Sequence, residues 1–270
     1  MQYQKKLNYS FLLLLFLSLV ITLILVLNGY GAFSSVEVFQ DMNATVLWYS
    51  LLNSHYGANT AFILPMILAF GTTYYFYQQL KSNIYQDMVL RKGYKQTMLS
   101  MIFRCYKMAL FFPLMMLVFY GICFLIAPRI VTDSNSLGTF LLTNPFGMDV
   151  ILVLKNIGVV LLLQYLFAIF VVNISLFSIR YSKKFYLSLL FTFLLLNICN
   201  YVMVDVGVSL LHVRGEYLFE LMMTNEIANA KLTFLLTLPL SFILCFLAYG
   251  KKERVVISHA QTVRSNASKS

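Results

Sequence analysis

The chain has 270 residues, of which 60% are hydrophobic and 11% charged, with a mean hydropathy of +0.78 and a formal net charge of +10. A water-soluble domain needs far more polar residues to cover its surface, so this composition excludes an ordinary soluble fold and predicts an integral membrane protein. Four cysteines without a CxxC spacing, Cys105, Cys123, Cys199 and Cys245, argue against a disulfide framework or a zinc site and read as small apolar packing residues.

About 20 apolar residues at 1.5 Å each cross the roughly 30 Å hydrocarbon core of a bilayer. Six runs reach that length: Ser10 to Leu27, Ala58 to Tyr77, Met108 to Ala127, Asn156 to Phe177, Phe185 to Val204 and Leu232 to Tyr249. They are continuously apolar instead of alternating, which predicts helices and not barrel strands. The first run follows Lys5 and Lys6 like a secretory leader, yet it is long for one, and the bulky Tyr30 lies two residues before Ala32, the one plausible cleavage point. It reads as a retained anchor. The loop after it holds the single tryptophan, Trp48, with Tyr30, Tyr49 and Tyr56, and is expected to lie along the outer headgroup layer.

The second and third runs are joined by QQLKSNIYQDMVLRKGYKQTMLSMIFRCYK, which is too basic to span yet keeps apolar residues at helical spacing. Leu80, Ile84 and Met88 recur every fourth residue with Lys81, Asn83, Gln86, Asp87 and Arg91 opposite. Gly93 interrupts, and Met98, Met101, Ile102 and Cys105 form a second stripe opposite Lys95, Gln96, Ser100, Arg104 and Lys107. The pattern predicts a helix, a glycine elbow and a second helix on the cytoplasmic surface, the second running straight into the third run. An interfacial loop whose basic residues only anchor headgroups fits the same pattern.

Further along, the Ser/Thr/Asn-rich stretch after the third run reads as irregular, and Lys155, just before the fourth run, is expected to snorkel outward. SIRYSKK is a tight link that makes the fourth and fifth runs antiparallel neighbours. Between the fifth and sixth runs, DVGVSLLHVRGEYLFELMMTNEIANAK is too polar to span and too apolar for a solvated loop, which predicts one or two short helices in the outer leaflet. The polar residues inside the runs, Thr72, Thr73, Gln164, Asn173, Asn197 and Asn200, are expected to hydrogen-bond between helices. Residues 1–250 thus form a single six-helix transmembrane domain, and 251–270 a short, basic, disordered tail.

With both termini inside, the inner segments hold sixteen of the twenty Lys and Arg and two of the ten acids, Asp87 and Glu253. That asymmetry fixes the orientation by the positive-inside rule, and it assigns the charge to insertion and to anionic lipid instead of nucleic acid. No phosphate-binding GxxxxGK[ST], HExxH or GxSxG occurs, so no nucleotide or other cofactor site is expected in the chain itself. The absence of Asp, Glu or Arg near the centre of any run argues against an ion-driven carrier.

Six spans, both ends inside, a helical elbow after the second span and a part-apolar loop after the fifth resemble the ABC-2 type permease subunits of bacterial ABC exporters. NIYQDMVLRKGYKQ is similar to that family's acid-to-basic-to-glycine run before the third span. The resemblance implies a transport subunit and not an enzyme, working in the bacterial inner or plasma membrane as a homodimer or beside a similar permease. It also implies a separate cytoplasmic ATP-binding subunit that docks on the elbow, at Gln86, Asp87, Arg91, Lys92, Gly93 and Tyr94. The implied cargo is an amphipathic peptide or a lipid-like or drug-like molecule moved outward. The short amphipathic helix that this family carries before its first span is not matched by MQYQKKLNY.

Two other readings stand beside it. His212, Glu216 and Glu220, spaced four and four, could share a helical face and hold a metal ion in an intramembrane enzyme, although Gly215 interrupts them. A non-transporting sensor or scaffold would need no site at all.

Overall fold

The computed structural model describes residues 44–45, 47–48, 55–81, 83–128, 150–182, 184–211 and 227–250 and helical positions 13, 17, 20 and 24; for 55–64, 83–84, 200–211 and 227–237 it describes the backbone alone. Among these residues the protein is helical throughout, with no strand. The helices are α1 (His55–Lys81), α2 (Asn83–Lys92), α3 (Tyr94–Ala109), α4 (Phe111–Ile126), α5 (Val150–Ser182), α6 (Phe185–Leu211) and α7 (Ile227–Gly250). The loop expected at 129–149 and the tail at 251–270 lie outside the described residues, as does all of the first span but its four helical positions.

α5 is the axis of the bundle and packs on α1, α3, α4, α6 and α7. From Phe167 to Arg180 every residue except Ile169 and Phe177 is buried. A helix that is apolar all round can satisfy that surface only by being covered on every side. Its first half is different, with Ile151, Leu154 and Leu162 facing outward. Two helical stretches, Tyr94–Ile126 and Val150–Ser182, are long and apolar enough to cross a membrane. Large apolar side chains point away from the protein along the bundle, among them Leu125 on α4, Ile151 on α5, Tyr186 on α6 and Phe246 on α7, each at least 74% exposed. A soluble monomer rarely leaves so much apolar surface uncovered.

Side-chain pairings fix the helix directions. Asn173 meets Ser241 and Arg180 meets Ala248, a constant offset that makes α5 and α7 parallel. Tyr106 meets Asn173 while Tyr94 meets Arg180, so α3 runs antiparallel to both. Phe177 stacks near Phe191, which with the short link places α6 antiparallel to α5, and Phe185 sits against Phe70, Tyr74 and Tyr77, which sets the start of α6 beside the second half of α1. The end of α1, the start of α3, the end of α5, the start of α6 and the end of α7 therefore share one end of the bundle.

As the sequence implies, the helix after the elbow runs straight into the third apolar run: α3 continues into α4 as one 33-residue helical stretch with a jog at Leu110. Pro113 has no N–H to give the Ala109 carbonyl, which interrupts the ladder, and the Leu114 N–H to Leu110 carbonyl bond of 3.2 Å resumes it. Several expectations need correction. Leu80 and Met88 belong to two different helices, because α1 ends at Lys81 and α2 starts at Asn83; the Ile84 side chain lies outside the described residues. The buried face of α2 is Tyr85 and Val89. The second stripe is as expected, with Met98, Met101, Ile102 and Cys105 all buried, although exposed Leu99 and Phe103 share the outer face with the charges.

Trp48, expected along the outer headgroup layer, is covered by protein instead of facing lipid or water. It is fully buried, edge-on to Tyr120 at 5.6 Å, and the neighbouring Thr45 hydroxyl is 3.3 Å from the Tyr120 hydroxyl. SIRYSKK is a shorter link than its sequence implies, since α5 continues through Ser182 and α6 begins at Phe185. The connection between the fifth and sixth apolar runs likewise shrinks to 212–226, because α6 extends to Leu211 and α7 begins at Ile227. The short outer helices expected there lie outside the described residues.

Candidate functional site

The elbow is made by one backbone conformation. Gly93 has φ 81° and ψ 158°, a region open essentially to glycine alone, and nothing lies within 4 Å of where a Cβ would be. Glycine is therefore required by the torsion and not by crowding. Its N–H closes α2 on the Val89 carbonyl at 2.9 Å, and its own carbonyl accepts from both the N–H and the hydroxyl of Thr97, at 3.2 and 3.0 Å, which opens α3. One residue thus ends one helix and starts the next.

Of the six residues that sequence places at the docking face, Gln86, Asp87, Arg91, Lys92 and Gly93 are exposed, with exposed Leu90 among them. Together they make a mixed face: one acid, two cations, an amide and a leucine. Tyr94 differs. It is half-buried and turns into the bundle, where its hydroxyl donates to the Tyr249 carbonyl at 2.9 Å and accepts from a terminal N–H of Arg180.

Arg180 is the residue that sequence reasoning misplaces. Counted as one of the loop cations, it lies in the last turn of α5 at 2% exposure. Its Nε–H donates to the Ala248 carbonyl at 3.3 Å, and the guanidinium lies over the Tyr94 ring, 5.8 Å from the centroid. The carbonyls it and Tyr94 reach are among the last four of α7, which no intrahelical N–H can satisfy. They also carry the partial negative charge of a helix C-terminus, which a cation stabilises. One signal points to it in the sequence: Arg180 follows Asn173 by seven residues, two helical turns, and so shares its face.

A second polar layer sits those two turns further into the bundle. The Tyr106 hydroxyl donates to Asn173 Oδ1 at 2.9 Å, and Asn173 Nδ2 donates to Ser241 Oγ at 2.6 Å. Cys245 Sγ is 3.7 Å from the same Tyr106 oxygen, and the Tyr165 hydroxyl donates to the Tyr106 carbonyl at 3.4 Å. Of the polar residues expected to bond across helices, Asn173 does so. Thr72 and Asn197 instead bond to carbonyls of their own helices, and Gln164, fully buried on α5, has neither amide atom paired among the described residues. Thr73 is likewise unpaired, and the Asn200 side chain lies outside the described residues.

His212, Glu216 and Glu220 also lie outside the described residues, among which no group of three or more metal-ligating side chains occurs. The cysteines are free, Cys105 and Cys123 being fully enclosed. The fold and the two polar layers define a helical bundle, two of whose helical stretches are long and apolar enough to cross a membrane, with an elbow wired into its core. Comparison with known protein families, characterised proteins and solved structures finds no match for the chain.

Proposed function

We propose that the protein is the multi-pass membrane subunit of a bacterial ATP-driven exporter. Its six helices carry an amphipathic peptide or a lipid-like or drug-like cargo outward across the plasma membrane, powered by a separate cytoplasmic ATPase. One observation carries the reading: a rigid elbow presents Gln86, Asp87, Leu90, Arg91 and Lys92 to a partner while being bonded, through α3, to the helix ends of the bundle. A surface that only anchored headgroups would have no use for an acid in the middle of its exposed face. In this reading both termini lie on the cytoplasmic side, and the subunit pairs with itself or with a similar permease.

The subunit supplies no chemistry. ATP closes two motor subunits on each other, the docked elbows follow, and the bundle shifts between inward-open and outward-open populations. The test is purification of the chain from its native host in mild detergent. An ATPase should accompany the wild type and be lost when residues 86–92 are scrambled with Tyr85 and Val89 kept. An ATPase that stays bound after that change, or no ATPase at all, overturns the proposal.

A further inference from the structure

Resting on that reading, we infer that Tyr94 and Arg180 are positioning residues that couple the elbow to α5 and α7, so that the three helix ends move as one body. Tyr94 is next to the elbow glycine, yet its hydroxyl is committed inward to the Tyr249 carbonyl and the Arg180 guanidinium. Arg180 in turn holds the Ala248 carbonyl from α5. The start of α3, the end of α5 and the end of α7 therefore meet at two adjacent carbonyls.

Packing alone does not account for this arrangement. A guanidinium at 2% exposure is expensive to bury, and the bundle end has exposed cations enough, Lys81, Lys95 and Lys184 among them, to satisfy orientation. The Tyr94 ring adds to the joint by lying 6.0 Å from the Tyr249 ring while carrying the Arg180 charge on its face. Across the joint, only Gly93 separates Tyr94 from the exposed face of α2. A pull on α2 reaches Tyr94 after one residue and the other two helices after one hydrogen bond.

α7 and α5 are also tied by Asn173 and Ser241 two turns further in. A displacement entering at Arg180 and Ala248 is thereby carried as a shift of the α5–α7 pair and not as fraying of either end.

The experiment follows amide hydrogen exchange in the full chain with its co-purified ATPase, without nucleotide and after trapping with ATP and vanadate. In the wild type, trapping should slow exchange in α2 and in the last turn of α7 together. Tyr94→Phe, which keeps the ring and deletes both hydrogen bonds, should retain the ATPase in wild-type amount and keep the α2 response, but cut the α7 response at least threefold. Arg180→Lys should do the same, and Tyr186→Phe, on an exposed tyrosine, should change neither.

An undiminished α7 response in Tyr94→Phe overturns the inference and leaves the transport reading standing. Loss of the ATPase from Tyr94→Phe overturns it too, because Tyr94 would then be a docking contact. A wild-type chain that retains no ATPase overturns the transport reading, and the coupling role falls with it.

Discussion

Gly93 is the position where one atom should matter most. A Cβ there meets no neighbour, so Gly93→Ala carries the torsional penalty alone, about 1–3 kcal/mol for a region that L residues avoid. A thermal melt in detergent should show that loss, and ATPase retention should fall as α2 swings away from its present angle. Gln164 should behave in the opposite sense. Its amide is fully buried with both polar atoms unpaired among the described residues, so Gln164→Met, close in shape, should raise stability by roughly 1–3 kcal/mol, the usual penalty of an unsatisfied buried group. A lower melting temperature would show that the amide has a partner in the working protein. Residues of this kind separate what sequence can reveal from what it cannot. Gly93 is legible because a lone glycine between two periodic runs marks a break in the helix. The burial of Arg180 and Trp48 is not, because a cation beside a loop and a tryptophan near an interface each fit a common solvent-side role. Only the tertiary neighbours, Ala248 and Tyr94 for one and Tyr120 for the other, reverse the assignment.

At the scale of elements, hydropathy locates the described helices and misjudges their ends. Apolar runs report the stretch that must avoid water, whereas a helix continues for as long as its backbone ladder is unbroken. α3 therefore runs on into α4, as expected, and α6 and α7 extend into polar sequence as far as Leu211 and from Ile227. On α2 the buried residues are Tyr85 and Val89 while Met88 is only half-buried, since Leu80, which sets the sequence period, belongs to the preceding helix. That arrangement makes an opposed pair of predictions. Tyr85→Ala removes a fully buried ring that pins α2 to the bundle and should cost about 3–5 kcal/mol in a detergent melt. Leu90→Ala, at 64% exposure, should stay within about 0.5 kcal/mol of wild type yet weaken ATPase retention, since its only use is outward. Equal destabilisation by the two would mean that α2 has no unique docked face.

For the molecule as a whole, the fold turns a charge count into a geometric statement. Sequence distributes cations among separate loops; the structure gathers Lys81, Arg91, Lys92, Lys95 and Lys184 at the end of the bundle where Tyr94 meets Arg180. Lys155 lies on the same helix as Arg180 but about 25 residues earlier, roughly 38 Å along the axis at 1.5 Å per residue. That exceeds the roughly 30 Å hydrocarbon core, so Lys95 and Lys155, both exposed, cannot share a membrane face if α5 spans. The expectation from the positive-inside rule is then Lys95 in the cytoplasm and Lys155 outside. With the native cysteines buried or half-buried, a single Lys155→Cys should react with a membrane-impermeant thiol reagent in intact cells, and a single Lys95→Cys only after permeabilisation. The reverse pattern would put the elbow on the outer surface, beyond reach of any cytoplasmic motor. Reaction of both in intact cells would show that α5 does not cross the bilayer between them.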